Sequence, residues 1–212
     1  MAALIFLTHP EVVIDPQVPV PRWPLNDTGR KRMSRFADAL SGTRLSSIHA
    51  STEQKAMDGA AIVAERFGLP YQAHEDVGEN DRSATGYIAP PEFWEVVDAF
   101  FANPHESIRG WERAIDAQSR IVNAVRRIAA EDDGSGDTLV VAHGGVGCLL
   151  MAHLQQVEIG QESRPRHSGG SCFIVVDRET LSLRQDWRTI EEAAFPVSRH
   201  SDFDLASRRT QG

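Results

Sequence analysis

The stretch LIFLTHPE, residues 4–11, joins four consecutive apolar residues to a histidine and a proline. A continuous apolar run is typical of a strand buried on both faces of a sheet, because a strand with one solvent-exposed face alternates apolar and polar residues. Pro10 disfavours a helical backbone at His9 and ends the run. This stretch therefore predicts a central strand that delivers His9 to one edge of a sheet.

Other apolar runs follow the same plan along the chain. The runs at residues 45–50 and 138–142 also end just before a turn or helix, and between the strands lie helices with apolar residues at three- and four-residue spacing. The runs at 172–176 and 181–187 predict a closing hairpin. This order predicts an α/β fold, a three-layer α/β/α sandwich with a mainly parallel central sheet.

Two helix starts can be predicted from local signals. Residues 51–54 fit a capping box, which places the start of the second helix there. A long helix with Trp111 on its core face is expected from about residue 107 to residue 130.

The length of 212 residues, 41% of them hydrophobic, fits a single domain with a full core. We predict one domain over residues 1–195 and a polar tail over 196–212. Residues 80–106 depart from the alternation, since a polar stretch precedes Pro90-Pro91 and a short amphipathic helix. Insertions of this kind commonly cover active sites, so we predict an active-site cover there.

The formal net charge of −8 argues against nucleic acid or an anionic membrane as a partner, because both would be repelled. No apolar run approaches the roughly 20 residues that span a bilayer. Cys148 and Cys172 lie in apolar stretches, and the N-terminus lacks the pattern of a signal peptide. A cytoplasmic protein is therefore expected. The oligomeric state stays open, with a homodimer as one option.

Ligands of parallel sheets bind beyond the carboxyl ends of the strands. His9, Lys55 and His143 each follow a predicted strand, so they should meet at one sheet edge. A cation and free helix-terminal amides stabilise a phosphate dianion without a metal, and no cofactor is expected. A neutral imidazole can attack phosphorus while a carboxyl with a raised pKa protonates the leaving oxygen. Glu79 is the candidate for that carboxyl, since partial desolvation beside the negative charge of the phosphate is expected to favour its protonated form.

Five segments, taken in order, resemble motifs of the histidine phosphatase superfamily, the phosphoglycerate mutase-like group, over roughly residues 3–190. The family's strand-Arg-His-Gly-Glu is similar to residues 4–11, its Leu-Thr-x-x-Gly to residues 25–29, its Ser-Ser-x-x-x-Arg-Ala to residues 50–56 and its Gly-Glu-Ser to residues 105–107. The strand-His-Gly-Gly is intact at residues 140–145.

The resemblance implies a role for each matching residue. His9 would be the nucleophile that becomes phosphohistidine, and His143 would bind and stabilise the transferring phosphoryl group. Lys55 would replace an arginine of the phosphate pocket, and Gly144 would belong to the same pocket. Glu79 would be the proton donor and acceptor. Its alignment leaves two neighbouring acids, at positions 75 and 76, as alternatives.

Two departures from the family's motifs are expected to weaken phosphate binding. Thr8, which we include in the predicted phosphate-binding set, stands where the family has an arginine, and Lys55 offers a point charge in place of a bidentate fork. Losing one preorganised donor typically costs about 10²–10³ in rate. Arg22 lies in a stiff, proline-rich loop at residues 18–24, and we predict that it enters the pocket and compensates.

The predicted function is that of a metal-independent phosphomonoester hydrolase, acting on a small phosphorylated metabolite through a phosphohistidine. Two alternatives stay open, a weak or inactive phospho-ligand binding protein and a phosphoglycerate-type mutase. The chain has no Gly-x-Ser-x-Gly turn and no glycine-rich loop after its first strand. An esterase and a dinucleotide-binding protein are therefore disfavoured.

Overall fold

Within residues 2–131, 136–160 and 171–195, which the computed structural model describes, six strands form one sheet. The strands are β1 (Ala3–Thr8), β2 (Leu45–Ser51), β3 (Gln72–His74), β4 (Asp137–Ala142), β5 (Cys172–Asp177) and β6 (Leu183–Thr189). Their order across the sheet is β3-β2-β4-β1-β5-β6. The predicted tail over residues 196–212 lies outside the described residues.

The sheet is mixed, with a parallel part and an antiparallel part. β1 pairs in parallel with β4, and β2 pairs in parallel with both β4 and β3. β5 runs antiparallel to β1 and to β6, which confirms the predicted closing hairpin. The sequence did not reveal β3, because this three-residue edge strand is too short and too exposed to carry an apolar pattern.

Helices cover both faces of the sheet. They are α1 (Asp27–Ala39), α2 (Gln54–Phe67), α3 (Glu92–Ala102), α4 (Ala114–Glu131) and α5 (Gly144–Gln155). β1 is buried along its whole length and serves both layers, since Leu4 and Phe6 pack with residues of α3, α4 and α5 while Ile5 and Leu7 pack with residues of α1 and α2. The predicted three-layer α/β/α architecture is confirmed. None of the helices in the described ranges is long and apolar enough to cross a membrane.

The second helix begins within the predicted residues 51–54 but without the capping box, and the predicted start of the long helix at about residue 107 is wrong. α2 begins at Gln54 after Glu53 as its N-cap, with no side-chain capping bond, and the Ser51 hydroxyl accepts the Glu53 N–H at 3.1 Å instead. α4 begins at Ala114 because Arg109 and Gly110 adopt left-handed backbone conformations, with φ of 52° and 82°, that no helix can contain. The break leaves Trp111 buried just ahead of the helix, beneath the cover segment.

Candidate active site

The site forms where β1 and β4 end side by side. His9 follows β1 and donates its backbone N–H to the carbonyl of Ala142, the last residue of β4, at 3.0 Å. His143 follows β4 directly and is the N-cap of α5. Because the two strands are parallel neighbours, the two imidazole rings meet edge to face with centroids 5.2 Å apart. The structure thus brings together the two histidines that the sequence placed at one sheet edge.

The tautomer of His9 is fixed by the backbone of the following residue. Its Nδ1 lies 2.8 Å from the Pro10 carbonyl oxygen, which can only accept a hydrogen bond, so Nδ1 carries the hydrogen. Burial, followed by the nearby His143 and the Lys55 cation, lowers the pKa of His9 to about 3. The ring is therefore neutral near pH 7, and Nε2 keeps a free electron pair that can attack an electrophile.

His143 is fully buried, and neither of its ring nitrogens has a hydrogen-bond partner among the described residues. Nε2 lies 3.4 Å from a Glu53 carboxylate oxygen. Burial lowers the pKa of His143 in spite of the nearby carboxylates, so the ring is neutral as well. Buried polar atoms are nearly always paired in folded proteins, and an unpaired imidazole beside a second one indicates a ligand site.

Lys55 enters the site from the first turn of α2. Its side chain is buried, and Nζ donates to the Val20 carbonyl at 3.1 Å and forms an ion pair with Glu53. The proline-rich loop therefore reaches the site through the Val20 carbonyl. Arg22 is exposed, and its entry into the pocket stays a prediction.

Glu79 lies at the N-terminus of α5, where its carboxylate accepts the N–H groups of Gly145 and Val146 at 3.0 and 2.9 Å. An Arg82 guanidinium nitrogen lies 3.2 Å from the same carboxylate. Burial raises the pKa of Glu79, but Arg82, His143 and the Gly145 N–H outweigh burial and lower it. The charged and polar partners thus stabilise the anion more than burial destabilises it, and the protonated form expected beside a phosphate stays a prediction.

The two alternative acids lie apart from this position. Glu75 is exposed, and Asp76 forms an ion pair with Arg127 at 2.8 Å. Glu79 is thus the one of these three acids that contacts the start of α5.

Arg120 of α4 holds the backbone that carries Glu79. Its guanidinium donates to the carbonyls of Asp76, Gly78 and Glu79 at 3.1, 2.9 and 3.1 Å. It also donates to the Glu112 carboxylate at 2.7 Å. Four acceptors on one planar group fix the loop rigidly, since the guanidinium offers its donors in a set geometry.

Two of the predicted phosphate-binding residues, Thr8 and Gly144, differ in how their surroundings fit that role. The Thr8 hydroxyl donates to the Cys172 carbonyl at 3.2 Å and accepts the Cys172 N–H at 2.9 Å. Because β5 takes up both its donor and an acceptor position, the predicted phosphate contact of Thr8 is not supported. Gly144 begins α5 beside open space, and its phosphate contact stays a prediction.

Glu53 is a site residue that the sequence reasoning missed. Besides the ion pair with Lys55, it accepts the backbone N–H of Glu79 at 3.0 Å. Burial raises its pKa, but His143 and Lys55 lower it to about 2, so the carboxylate is charged. The signal was present, since an acid stands two residues before Lys55 within the motif at residues 50–56.

Arg82 is the second missed residue. Its guanidinium lies 5.0 Å from the Trp111 ring centroid and 5.4 Å from that of Phe93, and it donates to the Asn80 side-chain oxygen at 2.9 and 3.0 Å. These contacts hold the cation against Glu79. The sequence carries no signal for it, because the fold of the cover segment brings the two aromatic rings to Arg82.

Comparison with known proteins begins with a family model. The model described as histidine phosphatase superfamily (branch 1) matches residues 17–184. This range includes Lys55, Glu79 and His143 and begins downstream of His9. No protein of curated function is significantly similar to the chain in sequence.

Solved structures share the fold over most of the chain. YhfR of Bacillus stearothermophilus is 23% identical with a TM-score of 0.74, covering 90% of this chain and 100% of its own. A mycobacterial glucosyl-3-phosphoglycerate phosphatase, solved with inorganic phosphate, is 20% identical with a TM-score of 0.68, covering 89% and 95%. A phosphoglycerate mutase from Bacillus anthracis is 18% identical with a TM-score of 0.61, covering 89% and 91%. At these identities the likeness shows the shared fold.

Proposed function

The chain belongs to the histidine phosphatase superfamily, branch 1, and we propose that it hydrolyses small phosphomonoesters through a phosphohistidine at His9. The observation that carries the proposal is the histidine pair. One ring has its tautomer set so that Nε2 is free, and the other is fully buried with both nitrogens unpaired among the described residues. A tetrahedral phosphoryl group between them would accept the ring N–H of His143 and offer phosphorus to Nε2 of His9.

The proposed reaction has two displacements. Nε2 of His9 forms a bond to phosphorus as the ester P–O bond breaks, and Glu79 gives a proton to the leaving oxygen. Water then forms the new P–O bond as the N–P bond breaks, and Glu79 takes the proton of that water. A phosphoryl group bound beside the Glu79 carboxylate raises its pKa by like-charge repulsion, which lets it act as the acid in the first step. Lys55, His143 and the Gly144 N–H, which precedes the amides taken up by Glu79, hold the anion.

The test is covalent trapping with a labelled aryl phosphate. Wild-type protein should acquire an acid-labile phosphohistidine, and His9→Ala should lose both the label and at least about 10³ of kcat, because it removes the nucleophile. His105→Ala, which removes an exposed histidine, serves as the matched control. Equal activity in His9→Ala and wild type would rule out the proposed nucleophile.

One observation favours a second candidate, a phospho-ligand binding protein with little turnover. The Lys55 cation is already paired with Glu53, and the motif's arginine is replaced at Thr8 by a hydroxyl that β5 takes up. Such a site binds an anion less tightly than one with two free arginines. Phosphate binding by wild-type protein without label or turnover would favour this candidate.

A further inference from the structure

Glu53 places a carboxylate among the donors that a phosphoryl group would use. One of its oxygens accepts the backbone N–H of Glu79 at 3.0 Å and lies 3.4 Å from His143 Nε2, while the other contacts Lys55 Nζ. The side chain is only 13% exposed, so water screens its charge poorly. A carboxylate at this position repels a bound anion, so its presence in a phosphoryl site calls for a functional explanation.

The charged and titratable groups around Glu53 come from four parts of the fold. Lys55 on α2 is the cation in direct contact, and the neutral rings of His143 and His9 approach from the ends of β4 and β1. Glu79 adds a second carboxylate, which is itself paired with Arg82. A phosphate dianion would thus enter a site in which each contacting cation already faces an internal anion.

The two ionisation states of a phosphomonoester differ in what they offer to Glu53. The dianion has only acceptor oxygens, and one of them would face the carboxylate with no hydrogen between them. The monoanion carries one P–O–H group, which can donate a hydrogen bond to the carboxylate, and its other oxygens can accept from Lys55 and His143. The monoanion predominates below the second pKa of a phosphomonoester, which is about 6.

We propose that Glu53 is a specificity-determining residue that selects the monoanion of the phosphoryl group by accepting a hydrogen bond from its P–O–H. The proposal rests on the proposed function only in taking this pocket as the phosphoryl site. It makes binding depend on the protonation state of the ligand, because the ion pair with Lys55 keeps the Glu53 carboxylate charged over the working pH range.

The experiment measures binding of inorganic phosphate and of sulfate by calorimetry between pH 5 and pH 9. Sulfate has the same tetrahedral shape and is a dianion over this whole range, so it cannot donate to Glu53. In wild-type protein, phosphate affinity should fall about tenfold per pH unit above the second pKa of phosphate, following the monoanion fraction. Sulfate should bind weakly at every pH. Protonation of a histidine at acid pH would strengthen the binding of both ligands, so the ratio of the two affinities isolates the effect of Glu53.

Glu53→Gln should bind sulfate about tenfold or more tightly than wild type does, and its preference for phosphate over sulfate should disappear, since an amide can donate to a dianion. Glu53→Asp keeps the charge and should keep the preference. Glu65→Gln makes the same chemical change at an exposed position of α2 and should behave as wild type. Thermal unfolding of each variant verifies that it is folded.

Equal binding of phosphate and sulfate by wild type, or an unchanged ratio in Glu53→Gln, would overturn the inference. If phosphohistidine still forms at His9 in that case, the proposed function survives. If neither anion binds any of the proteins at any pH, the pocket is not a phosphoryl site, and both proposals fail together.

Discussion

Pro10 stands where the resembled motif has glycine, and its carbonyl oxygen still accepts the His9 Nδ1 hydrogen at 2.8 Å. Any residue supplies that carbonyl, so the substitution preserves the tautomer that a nucleophilic Nε2 requires. What proline removes is one backbone N–H. Proline at this position therefore weakens anion binding, while the tautomer of His9 that leaves Nε2 free is preserved.

The Glu79 carboxylate leaves no room for a side chain at Gly145, the second glycine after His143. A Cβ at this position would lie 2.5 Å from a Glu79 carboxylate oxygen, closer than any real contact allows. Gly145→Ala should therefore displace the carboxylate from the start of α5 and lower kcat about tenfold or more, while helix propensity keeps the protein folded. Steady-state kinetics and urea unfolding measure the two effects.

Gly144→Ala is the matched comparison for this prediction. The Cβ position of Gly144 opens onto free space, so its substitution should cost distinctly less activity than that of Gly145. Equal losses in the two variants would show that Glu79 does not depend on the space beside Gly145.

Individual site residues were predictable to different degrees. His9, Lys55 and His143 follow from strand order, because neighbouring parallel strands end at the same edge. Glu79 was located by its motif, whereas the sequence reveals neither Arg82 nor the amides of α5 as its partners. Thr8 was assigned to the pocket because a sequence does not show which way a strand-end hydroxyl is held.

At the level of elements, α4 positions the loop that carries Glu79. Arg120 donates to three carbonyls of that loop, those of Asp76, Gly78 and Glu79. The start of α4 could not be predicted from the sequence, because composition does not reveal the left-handed backbone at Arg109 that delays it. The short helix within residues 80–106 was predictable from its apolar spacing, while the contact between Arg82 and Trp111 was not.

Arg120→Lys tests this positioning role. A lysine keeps the charge but cannot reach three carbonyls and the Glu112 carboxylate at once, so the loop should loosen. We expect kcat to fall about tenfold with a smaller change in KM, and amide exchange at residues 76–80 to accelerate. Arg113→Lys, at an exposed arginine paired with Asp116, is the control and should change neither. Unaltered exchange in Arg120→Lys would contradict the positioning role.

At the scale of the whole molecule, the three layers could be predicted because β1 is apolar from Ala3 to Leu7 and alternate residues of it serve the two helical layers. The net charge of −8 also constrains the site. An acidic protein repels anions at long range, so local groups must supply the attraction for phosphate. Holding the two histidines uncharged where β1 and β4 end makes the stability of the fold depend on pH.

His9 makes this dependence measurable. Its pKa is about 3 in the folded protein against an ordinary 6.5, so the unfolded chain takes up a proton first and stability falls as pH decreases from about 6.5 towards 3. Between pH 7.5 and pH 5, the loss due to His9 is about 1–2 kcal/mol after allowance for partial exposure. His9→Asn removes the titrating ring, so its free energy of unfolding should decrease less than that of wild type by this amount. Urea unfolding at the two pH values measures the difference, with His105→Asn as the exposed control. Parallel pH dependence in wild type and His9→Asn would mean that folding leaves the pKa of His9 at its ordinary value, which would contradict the lowered pKa in the folded protein.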